Sequence, residues 1–317
     1  MAGKTFLIID ANSAIHRAFH ALPELTDKTG QPAQAVYGFA LAFLHIAKEL
    51  NPDYVAACFD TKKPTFRHKD FAEYKAQRPA TPASLVGQFS KVKELLESFG
   101  VPVFSLEGYE ADDLIATVAN KAVGKVALVA SGRQSEICVL TGDYDSLQLV
   151  NKAVRVYLVT RGVKNAVIYD SLAVFKKFGV HPSQIAAFKA LAGDASDNIP
   201  GAPGIGEKTA VKLLQHYGGI SQIYGGLERQ PDGFLPGGKT KAAKIKKTLL
   251  KNKEKVLLFE RLAKLDANVP IDFSLEKCRF NHLQGDAPRL ALEHLGFASL
   301  VKRLPRETAY CNNGTLF

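Results

Sequence analysis

Acidic residues follow directly on the most apolar runs of the sequence. The segments 5–10, 54–60 and 137–141 have the character of β-strands, and each ends in, or is soon followed by, aspartate. Ligands of open α/β sheets bind beyond the carboxyl ends of the strands. We therefore expect the carboxylates after these strands to converge at one edge of a sheet: Asp10, Asp60, Asp143 and Asp145.

Two further acidic motifs belong to the same expectation. A predicted helix start carries Glu110, Asp112 and Asp113, and a glycine-rich loop at 193–206 carries Asp194 and Asp197. A cluster of this many carboxylates repels itself unless cations neutralise it. Hard oxygen donors without histidine or cysteine favour Mg²⁺ or Mn²⁺ over zinc. A pair of such ions about 4 Å apart can activate water for phosphodiester hydrolysis.

Each of these acids also has a simpler interpretation. An aspartate after a strand is commonly a turn former, and acids in the first turn of a helix complement the helix dipole. Independent turn residues would not be expected to end every strong strand. The recurrence of the pattern therefore favours a metal site.

Composition limits the class of protein. The 317 residues are 46% apolar and 23% charged, as in a soluble globular protein with a sizeable core, and the net charge of +10 favours a polyanionic partner such as nucleic acid. The four cysteines are scattered without a C-x-x-C pair, which excludes zinc fingers and disulfide scaffolds. No apolar run is long enough for a signal peptide or a membrane span. We expect a cytoplasmic protein that does not bind membranes.

The elements that must position the acids divide the chain into two parts. Up to about residue 175, strands alternate with helices at 33–50, 83–99 and 110 to about 130, and 155–159 with 166–169 form a predicted hairpin. The run 126–129 could instead be a strand. This pattern predicts an α/β domain at 1–175 with a mostly parallel central sheet flanked by helices. The remainder, 176–317, is predicted to be a smaller helical domain.

A lysine-rich stretch lies in the helical part. Residues 239–255 contain eight lysines and one acid, and Lys247, Lys251 and Lys255 are spaced to share one helix face. Such a face is either a solvated surface or a track for phosphates.

Several motifs in order resemble one known family. They are Ile8-Ile9-Asp10, Arg17-Ala18-Phe19-His20, Phe59-Asp60, Thr65-Phe66-Arg67, Tyr74-Lys75-x-x-Arg78, Gly108-Tyr109-Glu110-Ala111-Asp112-Asp113, Thr141-Gly142-Asp143-x-Asp145 and the segment 193–210. From about residue 4 to about 300 the chain resembles the 5′–3′ exonuclease domain of bacterial DNA polymerase I, within the wider family of flap endonucleases and 5′ nucleases. The resemblance implies a PIN-like nuclease core, a helical arch at about 63–95 and a helix-three-turn-helix element at about 185–215.

The resemblance also implies the chemistry. It predicts an active nuclease that uses two Mg²⁺ ions, with Mn²⁺ as a substitute. The implied metal ligands are Asp10, Asp60, Glu110, Asp112, Asp113, Asp143, Asp145, Asp194 and Asp197. The implied catalytic residues are six of these acids together with two cations that steer the scissile phosphate: Asp10, Asp60, Glu110, Asp112, Asp143, Asp145, Lys75 and Arg78.

By the same resemblance, the partner is DNA with 5′ flaps, nicks or gaps, and RNA–DNA hybrids are a further candidate, in replication and repair. The implied DNA-binding residues are Arg17, Arg67, Tyr74, Lys75, Arg78, Gly204, Gly206, Lys208, Thr209, Lys244, Lys247 and Lys251. Tyr74 either stacks on a base or packs beneath the arch. Family members often hold a K⁺ ion at the helix-three-turn-helix element, and the protein is expected to be a monomer.

The chain departs from the family pattern in three places. Tyr144 stands where lysine is usual, and the segment 125–134 is longer than usual. The sequence has no polymerase domain, so we expect either a fragment or a free-standing nuclease. Its last residues resemble a sliding-clamp ligand through Asn313, Leu316 and Phe317, and a frayed apolar terminus is the alternative.

Two other classes of protein fit the sequence less well than a nuclease. A DNA-structure-binding protein without catalysis would not need a complete acidic set, which only weakens DNA binding when it is not neutralised. A phosphatase of the haloacid dehalogenase type would need an acid where this chain has Asn12.

Overall fold

A mostly parallel sheet carries the strand ends on which the predicted site depends. The computed structural model describes residues 4–126, 136–159, 166–229, 234–236, 238–281 and 283–305. Within them the strands are β1 (Thr5–Asp10), β2 (Tyr54–Cys58), β3 (Val103–Phe104), β4 (Glu136–Thr141), β5 (Val154–Leu158) and β6 (Val167–Tyr169). They lie in the order β3-β2-β1-β4-β5-β6, and β5 and β6 form the one antiparallel pair of this sheet. The predicted strands and the predicted hairpin are confirmed.

Both faces of the sheet are covered, as a parallel sheet requires. The helices of this part are α1 (Ala11–Ala21), α2 (Gln34–Leu50), α3 (Phe66–Asp70), α4 (Ala83–Ser98) and α5 (Ala111–Ala122). Because side chains alternate along a strand, Phe6 and Ile8 pack in one core with α5, whereas Leu7 and Ile9 pack in a second core with α1, α2 and α4.

The helices after β6 extend these two cores. They are α6 (Ser171–Phe178), α7 (Ile185–Ala192), α8 (Glu207–Tyr217), α9 (Ile220–Arg229), α10 (Lys239–Lys251), α11 (Lys253–Ala263), α12 (Asp286–His294) and α13 (Ala298–Val301). Buried residues of α7, α8, α9 and α11 belong to the core that contains Phe6. Leu292 of α12 and Leu300 of α13 belong to the core that contains Leu7. The predicted boundary near residue 175 therefore marks a change of secondary structure within a continuous core.

The predicted helical arch is corrected by the packing of its second half. α4 buries Leu85, Val92, Leu95 and Leu96 against the sheet, so 83–95 is a core helix. The first half consists of the five-residue α3, with a turn-rich segment after it that runs up to the start of α4. Apolar residues at helical spacing explain why α4 is drawn into the core.

Two predicted helices end earlier than expected. α5 ends at Ala122, where Val123 has extended backbone angles and Gly124 has a φ of +87° that favours glycine. The alternative strand at 126–129 lies almost entirely outside the described residues, as does most of the lengthened segment 125–134. α10 ends at Lys251, so Lys255 belongs to α11 and does not continue the face of Lys247.

Three cysteines, Cys58, Cys138 and Cys278, are buried and free, and Cys311 lies outside the described residues. None of the helices in the described ranges combines the length and the apolar character that crossing a membrane requires.

Candidate active site

Four aspartates form a first acid cluster at the carboxyl ends of the strands: Asp10, Asp60, Asp112 and Asp143. Asp10 ends β1 and caps α1, where its Oδ1 accepts a hydrogen bond from the Ser13 N–H at 3.0 Å. Its Oδ2 accepts from the Thr141 hydroxyl at the end of β4 at 2.6 Å. Burial raises the pKa of Asp10 to about 7, and the negative charges of Asp60 and Asp143 add to this shift.

The other members of the first acid cluster are oriented by backbone groups. Asp60 accepts from the Ala111 N–H at 2.7 Å, so it fixes the start of α5. Asp143 caps a 3₁₀ helix at Tyr144–Leu149 and accepts from the Asp145 N–H at 2.9 Å. Burial raises the pKa of Asp112 well above its usual range, with further contributions from the charges of Asp143 and Asp10. The four carboxylates thus lie close enough to repel one another.

Three aspartates form a second acid cluster: Asp145, Asp194 and Asp197. Each offers a carboxylate oxygen, and these oxygens lie within 4.8 Å of one another. Unlike the first acid cluster, this one is held by cations of the protein. Lys189 on α7 pairs with Asp145, and its Nζ lies 2.5 Å from Asp194 Oδ2. Arg78 Nη2 lies 2.9 Å from Asp197 Oδ1.

The segment between α3 and α4 presents its cations to these acids. Lys75 Nζ lies 2.8 Å from Glu110 Oε2 and 3.9 Å from Asp197 Oδ1. The Lys75 N–H donates to the Asp197 carbonyl at 3.1 Å, and its φ of +54° is in the left-handed region, which is unfavourable for a non-glycine residue. The structure therefore places Lys75, Arg78 and Glu110 beside both acid clusters.

Asp113 has a structural role instead of the predicted metal-binding one. It is fully buried, and its two oxygens accept a bidentate pair of hydrogen bonds from Arg67, each 2.7 Å long. Its Oδ1 also accepts from the Asp266 N–H at 2.9 Å. Because protein donors satisfy both oxygens, Asp113 has no free lone pair directed at the cleft.

The prediction that Arg67 binds DNA is wrong, because its side chain is only 1% exposed. Its Nε donates to the Leu262 carbonyl at 2.8 Å, and its Nη2 donates to the Lys264 carbonyl at 2.9 Å. Arg67 and Asp113 therefore form a buried clasp between the start of α5 and the segment after α11.

Of the two alternatives for Tyr74, stacking on a base or packing beneath the arch, the structure shows a packed side chain. It is 2% exposed, so the prediction of base stacking is wrong. Its hydroxyl donates to Asp197 Oδ2 at 2.9 Å and lies 3.2 Å from Glu110 Oε2. Burial raises the pKa of Tyr74, with further contributions from the charges of Glu110 and Asp197, which keeps the hydroxyl protonated as a donor.

Arg17 lies over the loop that carries Asp143. Its Nη2 donates to the Gly142 carbonyl at 2.7 Å. A Cβ at position 142 would overlap the guanidinium, so a larger residue there would require the flexible Arg17 side chain to move. Contact of Arg17 with DNA stays a prediction.

The glycine-rich loop and the lysine-rich helix lie at the surface. Gly204 has a φ of +74° with open space around it, and Gly206 caps α8, on which Lys208 is exposed and Thr209 is partly exposed. The lysines of α10 predicted to bind DNA are also exposed: Lys244, Lys247 and Lys251. Their DNA contacts, and the K⁺ ion expected at the loop, stay predictions. Asn313, Leu316 and Phe317 lie outside the described residues.

Lys189 is the site residue that sequence reasoning missed. It is the only charged residue of α7, whose sequence Ile-Ala-Ala-Phe-Lys-Ala-Leu-Ala is otherwise apolar. A lone lysine in a helix that must be buried needs a charged partner. That signal, five residues before Asp194, could have identified it.

Fold and site together define an α/β protein with a carboxylate-rich centre suited to divalent ions. Residues 5–179 match the family described as 5′-3′ exonuclease, N-terminal resolvase-like domain, and residues 180–286 match 5′-3′ exonuclease, C-terminal SAM fold. The chain belongs to the 5′-3′ exonuclease family. This assignment confirms the resemblance predicted from the motifs and the predicted class of enzyme, a nuclease.

Sequence relatives and solved structures agree with this assignment. DNA polymerase I of Bacillus caldotenax is 36% identical over 301 residues, which are 95% of this chain and 32% of that protein. DNA polymerase I of Bacillus subtilis is 33% identical over 306 residues, which are 96% of this chain and 33% of that protein. The chain thus spans about a third of the length of these relatives.

Three solved structures share the fold. The T5 5′-exonuclease with bound zinc has a TM-score of 0.62 and 20% identity, covering 95% of this chain and 96% of that one. A complex of the bacteriophage T5 D15 flap endonuclease with DNA and metal ions has a TM-score of 0.63, 20% identity and the same coverage. Human GEN1 bound to Holliday junction DNA has a TM-score of 0.57 and 15% identity, covering 95% of this chain and 71% of that one. The predicted fold is confirmed.

Proposed function

We propose that this chain is a metal-dependent 5′–3′ exonuclease and structure-specific 5′ flap endonuclease that hydrolyses DNA phosphodiester bonds with two divalent ions. One observation carries the proposal. Two acid clusters from five separate parts of the chain meet at the carboxyl edge of the sheet, and Lys75 and Arg78 lie directly beside them. This combination suits a reaction in which a phosphate must approach metal ions in an otherwise negative site.

The donor set fits Mg²⁺, with Mn²⁺ as a substitute. Both acid clusters offer only carboxylate oxygens, the ligands that hard divalent ions prefer. Burial raises the pKa values of Asp10 and Asp112, and neighbouring negative charges, whose repulsion divalent ions would relieve, add to these shifts. Such ions supply an activated water at neutral pH and stabilise the leaving oxygen. Glu110 lies between the clusters and is a candidate ligand of either ion.

The cations of the chain position the phosphate. Lys75 and Arg78 are paired with Glu110 and Asp197, whose charges divalent ions would neutralise. The ammonium and guanidinium groups are then available to hold the scissile phosphate, for which charge-assisted hydrogen bonds are well suited. The Tyr74 hydroxyl donates a hydrogen bond to Asp197, which helps to fix the segment between α3 and α4.

The substrate is DNA with 5′ flaps, nicks or gaps, and RNA–DNA hybrids are included because primer removal would present them. Gly204, Gly206, Lys208 and Thr209 would hold duplex phosphates at the start of α8, because the N-terminal end of a helix favours anions. A K⁺ ion at this loop and a sliding clamp bound through the tail belong to the same proposal. The protein acts as a monomer in the cytoplasm during replication and repair.

The test is cleavage of a 5′-labelled flap duplex by the wild type and Asp143→Asn, with Mg²⁺ or EDTA. We expect cutting near the junction that requires Mg²⁺ and falls by about 10²-fold or more in the variant, because one carboxylate of the metal centre is lost. Asp272→Asn is the matched control, since Asp272 is 86% exposed and its ion pair with Lys277 lies at the surface. Salt-sensitive flap binding without cutting under any divalent ion would overturn the proposal and favour a catalytically silent DNA-binding protein.

A further inference from the structure

The two acid clusters are neutralised in different ways. In the first acid cluster, the carboxylates of Asp10 and Asp60 accept hydrogen bonds from uncharged groups, which are backbone N–H groups and the Thr141 hydroxyl. In the second acid cluster, ammonium and guanidinium groups lie directly on the carboxylates. A divalent ion entering the first acid cluster meets carboxylates on which Lys75 and Arg78 act only through their charge, whereas one entering the second must compete with cations that are paired directly with its carboxylates.

Lys189 is the most enclosed of these cations. Its side chain is 12% exposed, and its Nζ bridges Asp145 and Asp194, whose side chains are 9% and 10% exposed. The Ser196 N–H at 2.8 Å and the Ser196 hydroxyl at 2.6 Å hold the other oxygen of Asp194. The ammonium group therefore lies between two carboxylates whose oxygens converge as metal ligands do.

We propose that Lys189 is a resident counterion of the second acid cluster, which holds Asp145 and Asp194 together without metal and weakens divalent-ion binding there. This inference rests on the proposed function, because it concerns the second of the two ions. An ammonium group a few ångströms from a divalent ion repels it strongly in a partly buried site. The second ion then binds firmly only when an additional negative group, such as a DNA phosphate, enters the site.

The anchoring of Lys189 supports this role. α7 packs against α8 and α11 in the core that contains Phe6, so the Cα of Lys189 is fixed. Its long flexible stem still allows Nζ to leave Asp145 when an ion enters. Lys189 is thus a positioning residue, which acts through the carboxylates it contacts.

The test is titration of Mn²⁺ into the DNA-free protein by calorimetry, for the wild type and Lys189→Met. Methionine keeps the length and helix preference of lysine and removes its charge. For the wild type we expect one tight and one weak class of Mn²⁺ sites. In the variant the weak class should bind at least about tenfold more tightly, because the competing charge is gone.

A second readout does not depend on metal binding. In EDTA, Lys189→Met should unfold at a temperature about 3 °C or more below that of the wild type, because the buried Asp145 and the partly buried Asp194 lose their counterion. Saturating Mn²⁺ should close this gap. Lys176→Met is the matched control, since Lys176 is exposed on α6 and its loss should change neither result.

Lys189→Arg covers the case in which the methionine variant does not fold. It keeps the charge, and its second class of sites should stay at least as weak as in the wild type. The proposal is overturned if Lys189→Met binds the second ion no more tightly than the wild type. It is also overturned if Lys189→Arg binds the second ion as tightly as Lys189→Met does. Absence of any Mn²⁺ binding in the wild type would overturn the metal-dependent function itself, together with this proposal.

Discussion

At the residue scale, burial and the charges around each aspartate determine its pKa in the metal-free protein. Asp10 lies in the first acid cluster, where burial raises its pKa and the charges of Asp60 and Asp143 add to the shift. Burial raises the pKa of Asp194 as well, but Lys189 and the Ser196 hydrogen bonds outweigh burial, so the net shift is downward. Asp10 of the first acid cluster and Asp194 of the second therefore have pKa values shifted in opposite directions.

The stability of the metal-free protein should depend on Asp10 in a defined pH window. Its pKa is about 7 in the folded state against an ordinary value of 3.8, so the folded state holds a proton that the unfolded chain releases. This contribution is fully present below about pH 4 and is lost as the pH rises to about 7. In EDTA, Asp10→Asn should therefore gain in melting temperature relative to the wild type as the pH rises through this window.

The matched control for this experiment is Asp272→Asn, whose exposed carboxylate lies outside both acid clusters. Its melting temperature should follow that of the wild type at every pH. A gap between Asp10→Asn and the wild type that stays constant from pH 4 to pH 7 would contradict the pKa shift.

Residue type and spacing in the sequence predicted which acids meet, because strand ends of a parallel sheet share one edge. They could not predict how each acid is paired. Asp112 and Asp113 are neighbours in the sequence, yet one faces the cleft and the other pairs with Arg67, whose position depends on the path of the chain between β2 and α4. The same path buries Tyr74, which a one-dimensional motif presents as a surface aromatic residue.

At the scale of elements, strands were easier to predict than helix ends. β1 and β4 are continuous apolar runs, and they lie within one residue of the predicted bounds. α5 ends at Ala122, two residues before Gly124, whose positive φ does not continue a helix, whereas the sequence pattern predicts a helix to about residue 130. α4 was assigned to the arch by analogy, and its buried face shows that it belongs to the core.

The clasp between elements should be sensitive to loss of one partner. Arg67→Met leaves the buried carboxylate of Asp113 without its cation, so we expect the free energy of unfolding in urea to fall by about 3–5 kcal/mol. The double variant Arg67→Met with Asp113→Asn should recover part of this loss, because asparagine removes the charge and keeps an acceptor for the Asp266 N–H.

Arg261→Met provides the comparison for an exposed ion pair. Arg261 is 64% exposed and pairs with Asp70, so its loss should cost less than about 1 kcal/mol. If Arg67→Met costs no more than Arg261→Met, the clasp does not stabilise the fold in the way the geometry indicates.

At the scale of the whole molecule, residues near the end of the described chain pack against α2. Phe297 is 3% exposed, and its ring meets that of Tyr37 edge to face at a centroid distance of 5.1 Å. Phe43 and Phe280 form a similar pair at 5.9 Å. Residues near the end of the helical part therefore share a core with the first helices of the α/β part.

Unfolding should accordingly be a single transition. Phe297→Ala should lower the free energy of unfolding by about 3–5 kcal/mol, with tyrosine fluorescence and far-ultraviolet circular dichroism reporting the same midpoint. Leu290→Ala, at a leucine that is 62% exposed on α12, should have little effect. Two separate transitions in the variant would contradict a shared core.

The long sequence separation of the site contacts has a consequence for synthesis on the ribosome. Asp10 meets Thr141 across 131 residues, Tyr74 meets Asp197 across 123, and Arg67 meets the Leu262 carbonyl across 195. Chains emerge and fold from the amino terminus. A nascent chain that has not yet released residues 262–264 therefore lacks the carbonyl groups that Arg67 contacts, and a translating polysome carries this centre in an incomplete form until those residues have emerged.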